Sequence, residues 1–306
     1  MDKHAYLIMA YRNWEQLKLL VSLLDDEHHD IFIHIDKKSG GCSEAEFAAC
    51  TRFSKVSFVD PVEVYWADYS QVEATMRLLK AAEGAYSYYH LLSGEDLPIK
   101  SNHERYVFFQ NSGREFIGIV PNEVYYSVRR VRFYHPFTHF ALYRRSKVLK
   151  GLDRLLEYVQ ALLGINRLRN YTGKIIDGWQ WFSITDKFCS YILQREEQIQ
   201  KMFQRSIASD ELVFQTMAYN SEFYEKLYCT SDLKKGSMRL IDWKRGAPYV
   251  WRSADYDEIM QSPYMFARKF DPNVDQEIID KIAGEIVRRN EDDKRTAGLE
   301  NQKTRY

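Results

Sequence analysis

Arg239 and Lys269 lie thirty residues apart in the segment RLIDWKRGAPYVWRSADYDEIMQSPYMFARKFD, whose basic and aromatic side chains are suited to holding an anionic leaving group. At that separation they cannot share one helical face, so the fold must bring them to a common point. Two fixed cations at one point can replace a metal ion opposite a diphosphate, because both neutralise charge on the departing oxygen. A lone FARKF has a plainer explanation, with Arg268 and Lys269 a solvated pair between buried Phe266 and Phe270. The rest of the chain decides between the two.

Acidic and polar groups close two earlier apolar runs: Asp36 with Lys37 and Lys38 in 34–39, and Glu95 with Asp96 in 93–96. No GxGxxG follows the first strand-like run and no GxxxxGK[ST] occurs, so dinucleotide and P-loop chemistry lose their usual support. A nucleotide bound here would be held by side chains. A second acidic pair, Asp210-Glu211, reads on local grounds as the opening of a helix, where carboxylates favour the dipole.

These residues need a scaffold, and the first 120 positions supply its pattern. Apolar runs at 5–10, 31–35, 86–92 and 116–120 alternate with amphipathic stretches such as 15–24, which is βαβ patterning. Ser43 with Glu46 and Ser70 with Glu73 match the capping box and predict two further helices. The expected architecture is α/β, a Rossmann-like, mostly parallel sheet flanked by helices, with ligands beyond the carboxyl ends of its strands. From 128 to 170 the chain turns basic, with leucines at helical spacing; such a helix can lie on an anionic membrane or cover the core with its cations in water. The stretch 288–306 reads as a polar tail.

The chain has 306 residues, with 43 basic and 43 acidic, so bulk charge disfavours a nucleic-acid partner. Cys42, Cys50, Cys189 and Cys229 show neither CxxC spacing nor a dense framework, which argues against a zinc site or disulfide scaffold. No apolar run approaches the roughly 18 residues of a spanning helix, and the N-terminus lacks a cleavable signal pattern, so a cytoplasmic protein is expected. The 22 Tyr, 17 Phe and 6 Trp suit sugar faces but fit aromatic core packing equally.

Six motifs in order, IHIDKKS (33–39), YWADYSQVEA (65–74), YYHLLSGEDLPIKS (88–101), GWQWFSIT (178–185), SDELVFQT (209–216) and FARKFD (266–271), resemble the core-2/I-branching glycosyltransferases, a family that includes peptide xylosyltransferases. The resemblance implies an A-type glycosyltransferase fold, a UDP-sugar donor, inversion at the anomeric carbon and no divalent metal or other cofactor. It implies Glu211 as catalytic base, Lys269 on the diphosphate, and Arg239 as its partner, with Arg245 or Arg252 as substitutes. It also implies Asp36 near the uracil, and Glu95 and Asp96 either on the sugar hydroxyls or structural; a manganese site at this adjacent pair is the alternative. One catalytic domain is expected over 1–287, with a donor half at about 1–120 and an acceptor half at about 121–287. The expected reaction transfers N-acetylglucosamine, with xylose as alternative donor sugar, to a glycan or lipid-linked glycan in surface polysaccharide synthesis, with peripheral contact of 141–170 at the inner membrane face. The rival from another class is a non-catalytic nucleotide- or carbohydrate-binding protein of the same fold.

Overall fold

The computed structural model describes residues 3–40, 43–122 and 124–303, and side chains as far as residue 296; Cys42 lies outside these residues. The strands are β1 (His4–Ala10), β2 (His29–Ile35), β3 (Val56–Phe58), β4 (Tyr88–Ser93), β5 (Asp96–Pro98), β6 (Phe116–Ile119), β7 (Gly178–Thr185), β8 (Arg239–Ile241) and β9 (Phe266–Arg268). The helices are α1 (Trp14–Leu23), α2 (Glu44–Ala48), α3 (Ser70–Ala82), α4 (Asn102–Ser112), α5 (Tyr125–Arg132), α6 (Lys147–Leu162), α7 (Asp186–Leu193), α8 (Glu196–Phe203), α9 (Val213–Tyr219), α10 (Leu233–Ser237), α11 (Tyr256–Gln261) and α12 (Gln276–Lys303).

The main sheet has the order β3-β2-β1-β4-β7-β6. Its first four strands are parallel, as the βαβ pattern predicts, and β7 runs antiparallel to both β4 and β6. Leu17, Leu20 and Val21 of α1 and Val72, Met76 and Leu79 of α3 recur at helical spacing and bury one face of each helix. The two predicted capping boxes do not form. Ser43 makes no cap hydrogen bond, and Ser70 lies inside the first turn of α3, where its Oγ accepts from the Tyr65 amide at 2.9 Å. A reciprocal box forms instead at Ser101 and Glu104, opening α4.

The chain reverses its strand order between β1 and β4, and the crevice beyond their carboxyl ends is where open α/β sheets bind ligands. Gly94 lets the loop after β4 lie on the end of β1: its N–H donates to Met9 O at 3.0 Å, and a Cβ there would stand 3.2 Å from that of Ala10. A second sheet, β5-β9-β8, is assembled from remote segments, with β5 antiparallel and β8 parallel to β9. Ile278, Ile279, Ile282 and Ile286 of α12 pack behind it on Leu97, Leu240 and Phe270. The stretch expected as a polar tail continues α12 as far as Lys303. Arg288 and Arg289 bond back to Glu285, and Asn290 and Asp293 accept from Asn102 and Ser101 at the start of α4.

Where β6 meets β7, buried Glu115 accepts from the Thr185 amide at 2.8 Å and from its hydroxyl. Burial pushes its carboxyl up to about 7, against the smaller opposing effect of the Thr185 donors. The folded state therefore holds a proton that the unfolded chain, with a carboxyl near its ordinary value, releases at lower pH. Stability should fall as pH rises from about 4.5 to about 7, by up to roughly 3 kcal/mol from this group. Urea unfolding across that range should give a steeper decline for the wild type than for Glu115→Gln; parallel curves would contradict the assignment.

Candidate active site

The site is built where the two sheets meet. β4 runs through Ser93-Gly94-Glu95 into β5, and β5 pairs with β9 so that Asp96 stands opposite Arg268. Fully buried Trp251 fixes the following backbone, its amide donating to Lys269 O at 3.0 Å and its indole to Arg268 O at 2.8 Å. The Phe270 amide donates to Glu95 O at 3.0 Å. The Arg268–Lys269 peptide is cis.

On this frame three cations face three carboxylates. Arg268 Nη1 lies 2.6 Å from Asp96 Oδ1, Lys269 Nζ 2.8 Å from Glu95 Oε2, and Arg12 bridges Glu95 Oε1, with Nε at 2.8 Å, to Asp271 Oδ2 at 3.0 Å. The formal charges cancel, but exposure does not. Arg12 and Lys269 side chains are 36% and 19% accessible against 5% for Glu95 and 1% for Asp96, so the solvent side of the cluster is cationic and the acids stand behind it. The Arg268 guanidinium also lies 4.2 Å above the buried Trp181 ring. Among the described residues no group of three or more His, Cys, Asp or Glu side chains is placed to hold a metal ion.

Arg239 is not part of this face. It is 1% exposed, and its guanidinium donates to the carbonyls of Ser237 and Phe182 and to the Ser183 hydroxyl, 4.3 Å above the Phe266 ring. Burial lowers its pKa to about 9. The cause is register: Ile241, not Arg239, pairs with Arg268, which puts Arg239 two residues, about 7 Å, deeper along β8. The substitutes fare differently. Arg245 is held by Asp242, Asp255 and Glu258, whereas Arg252 is exposed, beside Trp251, and makes no ion pair with a described residue. Asp36 caps the end of β2, paired with Lys38 at 3.0 Å, its Oδ1 accepting from the Val64 amide at 3.3 Å. His34 is buried beneath, accepting from the Val62 amide.

Glu211 comes from a single turn, Ser209–Glu211, entered through Ala208 in the left-handed region at φ 48°. That strained conformation is held by the Ala208 amide, which donates to Ala67 O at 2.7 Å, and Ala67 is itself left-handed at φ 63°. Arg130 clamps the turn, donating to the carbonyls of Ile207 and Ala208 and pairing with Glu211 at 2.8 Å and Asp177 at 2.9 Å. Burial raises the Glu211 pKa against the pull of Arg130, and burial together with the neighbouring Glu211 charge raises that of Asp210, whose Oδ1 has no partner. Asp177 immediately precedes β7 and Trp181 lies within it, so the carboxylate cluster and the cation cluster sit about 13 Å apart along one strand. A cleft of about 630 Å³ is bordered by Lys37, Glu63, Asp68, Thr138 and His139. It contains neither the cation cluster nor Glu211; Asp68 on its border follows Ala67, whose carbonyl accepts from the Ala208 amide.

The chain matches the family model described as core-2/I-branching enzyme over residues 4–262. It belongs to the core-2/I-branching enzyme family. Xylosyltransferase 2 of Rattus norvegicus is 24% identical over 306 residues, with 90% of this chain and 33% of the relative covered. Xylosyltransferase 1 of Homo sapiens is 23% identical over 304 residues, with 90% and 29% covered. The chain thus spans about a third of the length of the curated relatives it matches. The apo crystal structure of mouse xyloside xylosyltransferase 1 aligns at 14% identity and a TM-score of 0.39, with 87% of this chain and 97% of that chain covered.

Within this family member, sequence reasoning did not single out Arg12, Arg268, Arg130 or Asp177. Arg268 was within reach, because it lies in the FARKFD motif and alternates with Phe266; Arg12 and Arg130 carry no local signal. Arg239→Ala would remove a buried guanidinium and leave buried carbonyls unpaired, so unfolding in urea should show a loss of several kcal/mol. Unchanged stability with lost anion binding would instead return Arg239 to the site.

Proposed function

We propose that this protein is an inverting glycosyltransferase that moves a sugar from a UDP-sugar to a hydroxyl of a glycan or lipid-linked glycan. The observation that carries this is the cationic face formed by Arg12, Arg268 and Lys269, together with a clamped, half-exposed carboxylate, Glu211, the two linked along β7 through Trp181 and Asp177. In the proposed reaction the acceptor oxygen attacks the anomeric carbon from the face opposite the diphosphate. Glu211 takes the hydroxyl proton, and the bond from the anomeric carbon to the phosphate oxygen breaks with its electron pair leaving on UDP. Arg268 and Lys269 stabilise that charge, and each well-aimed donor of this kind lowers the barrier by about 3 kcal/mol. A carboxyl whose pKa is raised by burial, against the opposing pull of Arg130, suits a general base.

Residues 1–287 act in this reading as one A-type catalytic unit, with Asp36 near the uracil in the donor half, 1–120, and Glu211 in the acceptor half, 121–287. The expected divalent-metal independence is supported by the cations already paired with Glu95 and Asp96, which a manganese ion would have to displace. N-acetylglucosamine is the first proposed donor sugar. The names of the matched relatives favour xylose as a second reading. The proposed setting is the cytoplasmic side of a membrane, in surface polysaccharide synthesis. Unpaired Cys50, Cys189 and Cys229 fit a reducing compartment.

UDP release from UDP-N-acetylglucosamine and from UDP-xylose, followed in EDTA against a panel of glycan acceptors, tests both sugars. Glu211→Gln should lose about 10²–10⁴-fold in turnover while UDP affinity is kept. Undiminished turnover in Glu211→Gln would remove the base assignment, and activity only with added manganese would favour the Glu95-Asp96 site.

A further inference from the structure

α6 is inside out. At about 100° per residue Val148, Leu152, Leu155, Val159 and Leu162 fall within about 80° of arc, and this apolar stripe faces solvent: Val148 is 71%, Leu155 59% and Leu162 88% exposed. The buried residues of the helix are polar. Asp153 accepts from His135 at 2.7 Å and from the Tyr143 hydroxyl, and Gln160 makes paired hydrogen bonds with the backbone of Tyr134 at 2.8 and 2.9 Å. These bonds specify the orientation, since turning the helix over would break every one of them and leave His135, the Tyr143 hydroxyl and the Tyr134 backbone without these partners. Covering the core with leucine and showing cations to water, the ordinary arrangement, is therefore not what this helix does.

Charge identifies what covers the stripe. Residues 141–170 carry seven basic groups, Arg144, Arg145, Lys147, Lys150, Arg154, Arg167 and Arg169, and two acidic ones in a chain whose total charge balances. Both acids are turned inward, Asp153 to His135 and Glu157 to Arg129. Lys147 and Arg154 lie to one side of the stripe and are exposed. No helix among the described residues is long and apolar enough to cross a membrane, so contact of this kind is made from the surface.

We propose that the outer face of α6 docks on an anionic lipid surface, the stripe entering the headgroup boundary and the flanking cations meeting lipid phosphates. The placement serves the proposed transfer reaction, on which its use with a lipid-linked acceptor rests. Adjacent residues of α5 join the two: Arg129 pairs with Glu157 on α6, while Arg130 pairs with Glu211. The base is thus one helix removed from the membrane face, and an acceptor hydroxyl presented from the lipid meets the carboxylate side of the site rather than the cation side.

Sedimentation with vesicles of mixed phosphatidylglycerol and phosphatidylcholine, beside phosphatidylcholine alone, tests the surface. The wild type should bind the anionic vesicles about tenfold or more tightly than the neutral ones, and lose that preference at high salt. Leu155→Glu with Leu162→Glu should abolish binding while calorimetric titration of UDP is unchanged, since both positions are exposed on α6 and neither belongs to the Arg12, Arg268 and Lys269 cluster. The UDP arm separates failure of this inference from failure of the transferase reading. A wild type that ignores anionic vesicles, or a variant that still binds them, overturns the inference. So does a wild-type dimer, seen by light scattering, that the two substitutions dissolve, because the stripe would then belong to a second copy of the chain.

Discussion

The buried pairing of Asp96 with Arg268 is the constraint on which the site depends. Asp96 is 1% exposed, and a carboxylate taken that far from water is tolerable only with a cation and hydrogen bonds on it; Arg268 Nη1 at 2.6 Å, the Ser93 amide at 3.0 Å and the Ser93 hydroxyl supply them. This one pair joins β5 to β9 across more than 170 residues of chain, and Ser93 at the end of β4 ties it to the main sheet. Because it is directional, it fixes the register of β9, and the register in turn aims Lys269 at Glu95 and the Arg268 guanidinium at Trp181. A loss of either partner would leave a buried charge and free β9 to slide.

The second half of the site is held by a different device. Arg130 gathers Glu211, Asp177 and two backbone carbonyls, and the strained turns at Ala67 and Ala208 hold each other through one amide. Strain of this sort, on the order of 1–3 kcal/mol per residue, persists only where the surroundings over-determine it. Here it sets a carboxylate in partial solvent at a fixed point along β7. The division of labour follows: a cationic cluster rigid through ion pairs on one side, and a carboxylate rigid through a guanidinium clamp on the other, with Trp179 and Gln180 between them on the strand.

The parallel half of the sheet was legible because buried strands read as apolar runs and the helices between them as periodic ones; β1, α1, β2 and β4 all lie within two or three residues of their expected places. Antiparallel β7 and the small sheet were not, because their pairing depends on contacts between segments far apart in sequence. The same limit explains Arg239. Its motif and charge are visible, but whether a strand cation reaches the crevice depends on register, and two residues put it under the site instead of in it. The capping boxes failed for a related reason: Ser70 gives its oxygen to the Tyr65 amide, a tertiary demand that the local pattern does not contain. For α6 the leucine spacing was legible and its direction was not, since the direction is set by Asp153 and Gln160 finding partners elsewhere.

The central claim is that a diphosphate is held by the side chains of β9 and its neighbours. Isothermal titration of UDP in the presence of EDTA, on the wild type beside Lys269→Ala and Arg268→Gln, tests it most directly. The account predicts binding in EDTA for the wild type and a fall in affinity of about tenfold or more in each variant. Binding that needs added manganese, or that survives both substitutions unchanged, would contradict it.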